Sequence, residues 1–248
     1  MDLRLTGRTA AVAAASAGLG FSAASALADE GVRVAICGRD RDHVDAAARR
    51  IGDRAVPLVA DVGTPEGSQR FVEAAAAELG QVDILVTNAG GPPPGTFAST
   101  ALDAYPSALE LNLLSVVAMC TAAVPPMQER RWGRVVAITS IAVRQPIATL
   151  ILSNTARAGA TGFLKTLARE VAADGVTVNS LQPGFHATGR LRQLSGDDLT
   201  GLAAGVPAKA LGDPDDFGTV VAFLCSDQAK FITGAAIPVD GGAYAGLL

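Results

Sequence analysis

The sequence predicts an α/β fold: a doubly wound parallel sheet with helices on both faces. Three observations predict it. Short strand-like runs alternate with helix-like runs from the first residues onward. The early helix-like runs close on glycine, as a left-handed C-terminal cap requires. The 248 residues suffice for one large domain with a substantial core.

In order, "RTAAVAAA" reads as a strand, "FSAASALADEG" as a helix closed by Gly31, and "VRVAICG" as a strand. "DHVDAAARRIG" is a helix closed by Gly52, and "AVPLVAD" a strand. "EGSQRFVEAAAAELG" is a helix closed by Gly80, and "VDILVTNAGG" a strand running into a loop. A long helix covers residues 102 to 130, followed by the strand "GRVVAITS". Ser153 to Ala173 is mostly helix, and "GVTVNSLQPG" is a strand. Residues 185 to 213 have no clear period and carry Gly196, Gly201, Gly205 and Pro207, so they are a candidate lid. "DPDDFGTVVAFLCSD" returns to helix, and "GAAIPVDGG" supplies the last strand. Residues 1 to 248 thus read as a single domain without linker or repeat.

Composition narrows the function. Hydrophobic residues make up 49% and charged residues 18%, as in a compact soluble globule. A net charge of −4 offers no general attraction to nucleic acid or acidic membranes. Cys37, Cys120 and Cys225 are far apart and fit buried free thiols in a reducing cytoplasm. No metal-ligand pattern is present. "MDLRLTGRTAAVAA" lacks the uninterrupted apolar core of a signal peptide. "LELNLLSVVAMCTAAVPP" contains Glu110 and Asn112 and reads as too short and polar to span a membrane; a partner subunit is the expected cover.

In an open parallel sheet, ligands bind beyond the carboxyl ends of the strands. The first such end is "AAASAGLGF", containing Ser16, Gly18, Leu19 and Gly20. Small residues here let backbone N–H groups and a helix dipole approach a pyrophosphate, although they also serve tight strand–helix turns. The next strand ends in "CGRD". An acid usually binds the ribose hydroxyls of NAD at this point. Arg39 suits a 2′-phosphate instead, a reading ranked above that of a solvated turn residue. The cofactor expectation is therefore NADP(H), on a Rossmann-type sheet.

The ordered motifs "AGLG", "ADV" at 60 to 62, "NAGG" at 88 to 91, "LNLLS" around Asn112, "GRVVAITS", "VTVNSLQPG" and "GAAIPVDGG" carry a resemblance. Over nearly its whole length the chain resembles the short-chain dehydrogenase/reductase family, especially members labelled 3-oxoacyl-carrier-protein reductases. The resemblance implies that Gly18, Leu19 and Gly20 lie at the pyrophosphate, and that Asp61 and Val62 flank the adenine. It implies Asn88, Ala89 and Gly90 at the ribose, and Pro183, Gly184 and Thr188 at the nicotinamide. Asn112 and Ser140 match two members of the catalytic tetrad. The helices near 102 to 130 and 153 to 173 resemble the family's subunit interface, which implies a homotetramer, with a dimer next.

Two departures stand out. Ala14 replaces the first glycine of the turn, which costs little where φ is negative. In "SNTAR", counted back from "AGATGFLKTLAREV", Ser153 falls at the family's Tyr position and Arg157 at its Lys position. Ketone reduction leaves charge on oxygen, which then needs a proton. A serine is a far poorer acid than a tyrosine beside a cation. Ser140, Ser153 and Arg157 still offer hydrogen bonds to an oxyanion. Equally, Ser153 could cap the helix and Arg157 could be solvated or ion-paired.

Other residues need the same weighing. His186 could donate a proton, though a loop histidine is the favoured reading. His43 lies in a charged surface-helix pattern. Arg190 and Arg192 could grip a substrate carboxylate or phosphate. "GPPPG" at 91 to 95 could form a substrate wall or a stiff turn. Asn154 could reach substrate or help start its helix. Three functions follow: NADP(H)-dependent reduction of a carbonyl compound by a non-standard proton-transfer arrangement, conjugate reduction of an activated carbon–carbon double bond, or a non-redox nucleotide-binding partner subunit.

Overall fold

A computed structural model describes residues 2–247. Seven strands form one sheet: β1 (Thr9–Val12), β2 (Arg33–Gly38), β3 (Ala55–Val59), β4 (Ile84–Thr87), β5 (Gly133–Ile138), β6 (Val176–Pro183) and β7 (Ala236–Val239). Their order is β3-β2-β1-β4-β5-β6-β7, and every pairing is parallel. Val12 pairs with Ile36 on one side and Val86 on the other. The strand order reverses there, so the crevice opens beyond the end of β1.

Helices α1 (Gly18–Asp29), α2 (Arg41–Ile51) and α9 (Pro214–Cys225) pack on one face. Helices α3 (Pro65–Leu79), α5 (Ser115–Glu129) and α6 (Ile151–Val171) pack on the other. Phe217 anchors the first core and Phe71 the second, each fully buried. Burying such a ring stabilises the fold by roughly 2–3 kcal/mol. A Cβ on Gly218 would collide with Ser22 O, so α9 approaches α1 closely only because this residue is glycine.

The helix starts follow from local chemistry. The Asp40 carboxylate accepts the His43 N–H at 2.9 Å and caps α2. Thr64 Oγ1 accepts the Gly67 N–H at 3.1 Å before α3, where Pro65 loses no needed donor. Gly80 closes α3 in the left-handed region at φ 87°. The three cysteines are buried and free, and burial pushes each thiol up to about 12.

Two segments differ from expectation. The single long helix of residues 102 to 130 is a composite. It runs through a 3₁₀ turn (Leu102–Ala104), α4 (Tyr105–Leu109), a π turn (Glu110–Leu114) and α5. The whole run, Leu102–Glu129, is 28 residues and reaches a mean hydropathy of 1.7 over its most apolar window, so by length and composition alone it is long and apolar enough to cross a membrane. The expectation that this stretch is too short fails on that count. Yet 44% of the window is buried inside this chain, and α5 packs chiefly on α3. The second segment, residues 185 to 213, contains α7 (Gly189–Ser195) and α8 (Thr200–Gly205). These helices are too short to leave a clear period in the sequence.

Candidate active site

The turn after β1 is held from two sides. Ala14 N–H donates to Cys37 Sγ at 3.3 Å, and Ala14 O accepts from Asn88 Nδ2 at 3.2 Å. Ala14 itself has φ 47°, in the region that favours glycine. The condition for a low-cost Cβ, a negative φ, is therefore not met: tertiary hydrogen bonds hold this alanine in a strained conformation. Gly18 follows at φ 59°. A Cβ on Gly20 would lie 2.6 Å from Ala14 O and 2.7 Å from Asn88 Nδ2. Glycine at 20 is thus required for α1 to start this close to the strand ends. The result is a bare-backbone cradle, the shape a pyrophosphate needs.

The cradle opens into a cavity of about 510 Å³. Gly18, Leu19, Asn88, Ala89, Gly90, Ser140, Ser153, Arg157, Pro183, Gly184, His186 and Thr188 all line it. These sequence-predicted residues, drawn from distant parts of the chain, meet in one space. A Cβ on Gly90 would meet nothing within 4 Å, leaving backbone bare beside the cavity. A Cβ on Gly184 would lie 2.8 Å from Asp240 Cα, so only glycine lets the end of β6 sit against the chain after β7. An extended dinucleotide fits this run of cradle and cavity.

Ser153 and Arg157 lie one turn apart on α6. Ser153 is not the helix cap, since Leu150 holds the N-cap position of α6 and no side chain caps it. Its Oγ accepts from Arg157 Nε at 3.2 Å. Arg157 Nη1 donates to Ile138 O at 3.1 Å and Thr139 O at 3.2 Å. The side chain therefore bridges α6 to the end of β5 and has no ion pair among the described residues. Burial lowers its pKa to about 10, and the nearby charge of Arg190 adds to the shift. At neutral pH the guanidinium stays charged. Ser140 Oγ accepts the Ala142 N–H at 3.1 Å, leaving its hydroxyl proton available toward the cavity it lines.

Asn112 does not line the cavity. It sits in the π turn, and its Nδ2 donates to Gly90 O at 2.9 Å. Its Oδ1 is buried without a partner among the described residues. Asn112 thus braces the backbone beside the cavity.

A second hollow, about 560 Å³, lies at the end of β3. Arg39, Asp61, Gly67, Arg70 and Phe71 line it. Asp61 Oδ1 accepts the Gly63 N–H at 2.9 Å, while the Val62 side chain is buried in the core. Ser16 packs against Gly38, where an added Cβ would meet its side chain at 3.2 Å, beside Arg39 and away from the first cavity. Arg70 was not singled out from the sequence. Residues 67, 70, 71 and 74 share one face of α3, a helical spacing that could have exposed it.

The lid residues separate clearly. His186 is buried edge-on to Phe217 at 5.2 Å and against Gly212. Burial lowers its pKa, offset by the Gly184 carbonyl and Asp213. Thr188 Oγ1 accepts the Leu191 N–H at 3.3 Å and caps α7. Arg190 lines the cavity mouth, and its Nη2 donates to Pro92 O at 3.1 Å. Arg192 is exposed and does not line the cavity. Asn154 Nδ2 donates to Ile147 O at 2.9 Å, fastening the turn before α6. His43 is exposed beside Asp40. Of "GPPPG", Gly91 and Pro92 reach the cavity wall. Ile147, Leu150 and Leu194 also line it and escaped sequence reasoning, because no motif marks an apolar wall.

Residues 13–244 match the family described as enoyl-(acyl carrier protein) reductase. The 3-oxoacyl-[acyl-carrier-protein] reductase of Vibrio cholerae is 35% identical over 98% of this chain and 99% of its own length. That of Escherichia coli is 36% identical over the same shares. Among solved structures, an L-sorbose reductase from Gluconobacter frateurii, complexed with NADPH and L-sorbose, is 31% identical with a TM-score of 0.93, covering 100% of both chains. An NADPH-dependent reductase involved in bacilysin biosynthesis is 25% identical with a TM-score of 0.92, covering 97% of this chain and 99% of that one.

Proposed function

We propose a function on the premise that this chain belongs to the short-chain dehydrogenase/reductase family, given the match over residues 13–244 and relatives at 35% and 36% identity along their whole length. It is an NADP(H)-dependent oxidoreductase that reduces a carbonyl compound without the family's usual proton donor. One observation carries the reading: Ser140, Ser153 and Arg157 face the same cavity as the cradle residues.

Gly18, Leu19 and Gly20 would hold the pyrophosphate, and Arg39 with Ser16 beside it the 2′-phosphate. Asp61 and Val62 would flank the adenine, Asn88, Ala89 and Gly90 the ribose, and Pro183, Gly184 and Thr188 the nicotinamide. NADPH, when bound, supplies a hydride. The Ser140 and Ser153 hydroxyls then donate to the oxygen on which negative charge develops. Arg157 polarises Ser153 through the 3.2 Å hydrogen bond and places a fixed positive charge behind it. Ser153 and Arg157 stand where the family carries Tyr and Lys. Water supplies the proton. His186, packed on Phe217 with a lowered pKa, serves better as a pin for the lid at 185 to 213 than as an acid.

A second reading is favoured by a specific observation. Neither tyrosine, Tyr105 nor Tyr244, lines the cavity. Conjugate reduction of an activated double bond tolerates this, because an enolate needs stabilisation at once but a proton only later. Incubation with stereospecifically deuterated NADPH and an unsaturated ketone separates the two. A deuterated alcohol supports carbonyl reduction, a saturated ketone supports conjugate reduction, and no transfer to any ketone or enone sinks both.

The proposed assembly is a homotetramer, with a dimer second. The helical run Leu102–Glu129 supports it, being apolar yet incompletely buried, with Leu114 42% exposed. Sedimentation equilibrium measures the state directly.

A further inference from the structure

The cavity contains two arginines and no acid. Arg157 and Arg190 line it, whereas no Asp or Glu does. Among the described residues neither arginine has an ion-pair partner; their contacts are to a hydroxyl and to neutral carbonyls. Buried or partly buried cations without counter-charge are costly, and an anion between them removes the cost.

The two are not equivalent. Arg157 lies deep, tied to the end of β5 and to Ser153. Arg190 is largely exposed at the mouth. Its Nη2 leans on Pro92 O at 3.1 Å and more weakly on Gly91 O at 3.5 Å, while among the described residues no acceptor meets its Nε or Nη1. A guanidinium has five donors in a planar fork that matches a carboxylate. The rest of the wall is largely apolar and includes Ile141, Ile147, Leu150, Phe185 and Leu194.

We infer that the substrate is a carboxylate-bearing oxo compound with an apolar body, its carboxylate held by Arg190 at the mouth and its reacting oxygen turned toward Ser153 and Arg157. This rests on the cavity being the substrate site of the proposed reductase. An uncharged ketone of the same shape leaves the Arg190 fork at the mouth without an anionic partner of its own. The mutual repulsion that helps depress the Arg157 pKa agrees with a site built to receive negative charge.

The test is binding, without turnover. Protein saturated with NADP⁺ is titrated by calorimetry with 4-oxononanoate and with methyl 4-oxononanoate, which differ in charge but share the ketone and chain. The acid binds the wild type at least about tenfold more tightly than the ester, as a charged hydrogen-bonded pair provides. In Arg190→Gln the acid and ester bind within about threefold of each other. Equal binding of the two by the wild type overturns the proposal, as does an acid preference that survives in Arg190→Gln, or failure of the acid to bind at all. Failure of NADP⁺ to bind in the first step instead overturns the reductase reading, so the two failures are distinct.

Discussion

Arg157 donates its Nε–H to Ser153 Oγ at 3.2 Å across one turn of α6, and with Nη1 it holds the carbonyls of Ile138 and Thr139. The bond orients the serine oxygen as acceptor, which turns the Ser153 proton outward. The same contacts lock the arginine against the sheet, so its charge cannot swing away from the cavity. A serine is a weak acid, but a serine beside a fixed cation is a good oxyanion donor.

Ser153→Ala removes that donor and leaves the cradle intact. Loss of one oxyanion donor costs about 100-fold in kcat in comparable sites. We expect kcat to fall by about that factor, with NADPH affinity unchanged. Steady-state kinetics beside a cofactor titration checks both. A kcat that does not move would remove Ser153 from the chemistry.

The conformation of Ala14 gives a second expectation. An alanine at φ 47° costs about 1 kcal/mol relative to a glycine there. Ala14→Gly therefore raises stability by about that amount and tightens NADPH binding, because the cradle loses an obstructing methyl. Urea unfolding curves and calorimetric titration supply the two readouts. A lower midpoint in the variant would mean that the methyl packs usefully and that the strain is compensated.

Ala14 also marks where sequence reasoning runs out. The alternation of strands and helices was legible because each run buries apolar residues on a sheet whose ends need turns. The register of α6 was legible too, since Ser153 and Arg157, four residues apart, fall on one face of a helix. The backbone angle of Ala14 was not, because Cys37 and Asn88 impose it from other strands. Nor was the π turn at Asn112, a local widening without a compositional signal. Arg70 had a usable signal in its helical spacing with residues 67, 71 and 74, but the apolar wall stayed hidden because a lid acquires meaning only once the chain folds over it.

Arg39 and Arg70 face one hollow, and only Arg39 follows directly on β2. A 2′-phosphate placed there makes a charge-assisted bond worth about 1.5–3 kcal/mol. Arg39→Ala should weaken NADPH binding by about 10- to 100-fold and leave NADH binding nearly unchanged. Arg70→Gln should act in the same direction but less, and both effects should shrink as salt rises. Equal losses for both cofactors would show that Arg39 supports the fold rather than reading the phosphate.

His186 links the lid to acid stability. Burial against Phe217 and Gly212 lowers its pKa below the ordinary 6.5, so the folded protein holds it neutral. The unfolded chain then binds a proton more readily, and stability rises with pH where the two states differ. The contribution is neutral above about pH 6.5 and turns unfavourable as pH falls through that value toward the folded pKa. Thermal unfolding midpoints should therefore drop between pH 7.5 and pH 5, the range bracketing the histidine transition. His186→Gln removes the titration, so its midpoint, lower at neutral pH for the lost packing, should fall less steeply over the same range. An unchanged slope in the variant would assign the acid sensitivity to carboxylates elsewhere, and the lid would lose its pH-sensitive pin.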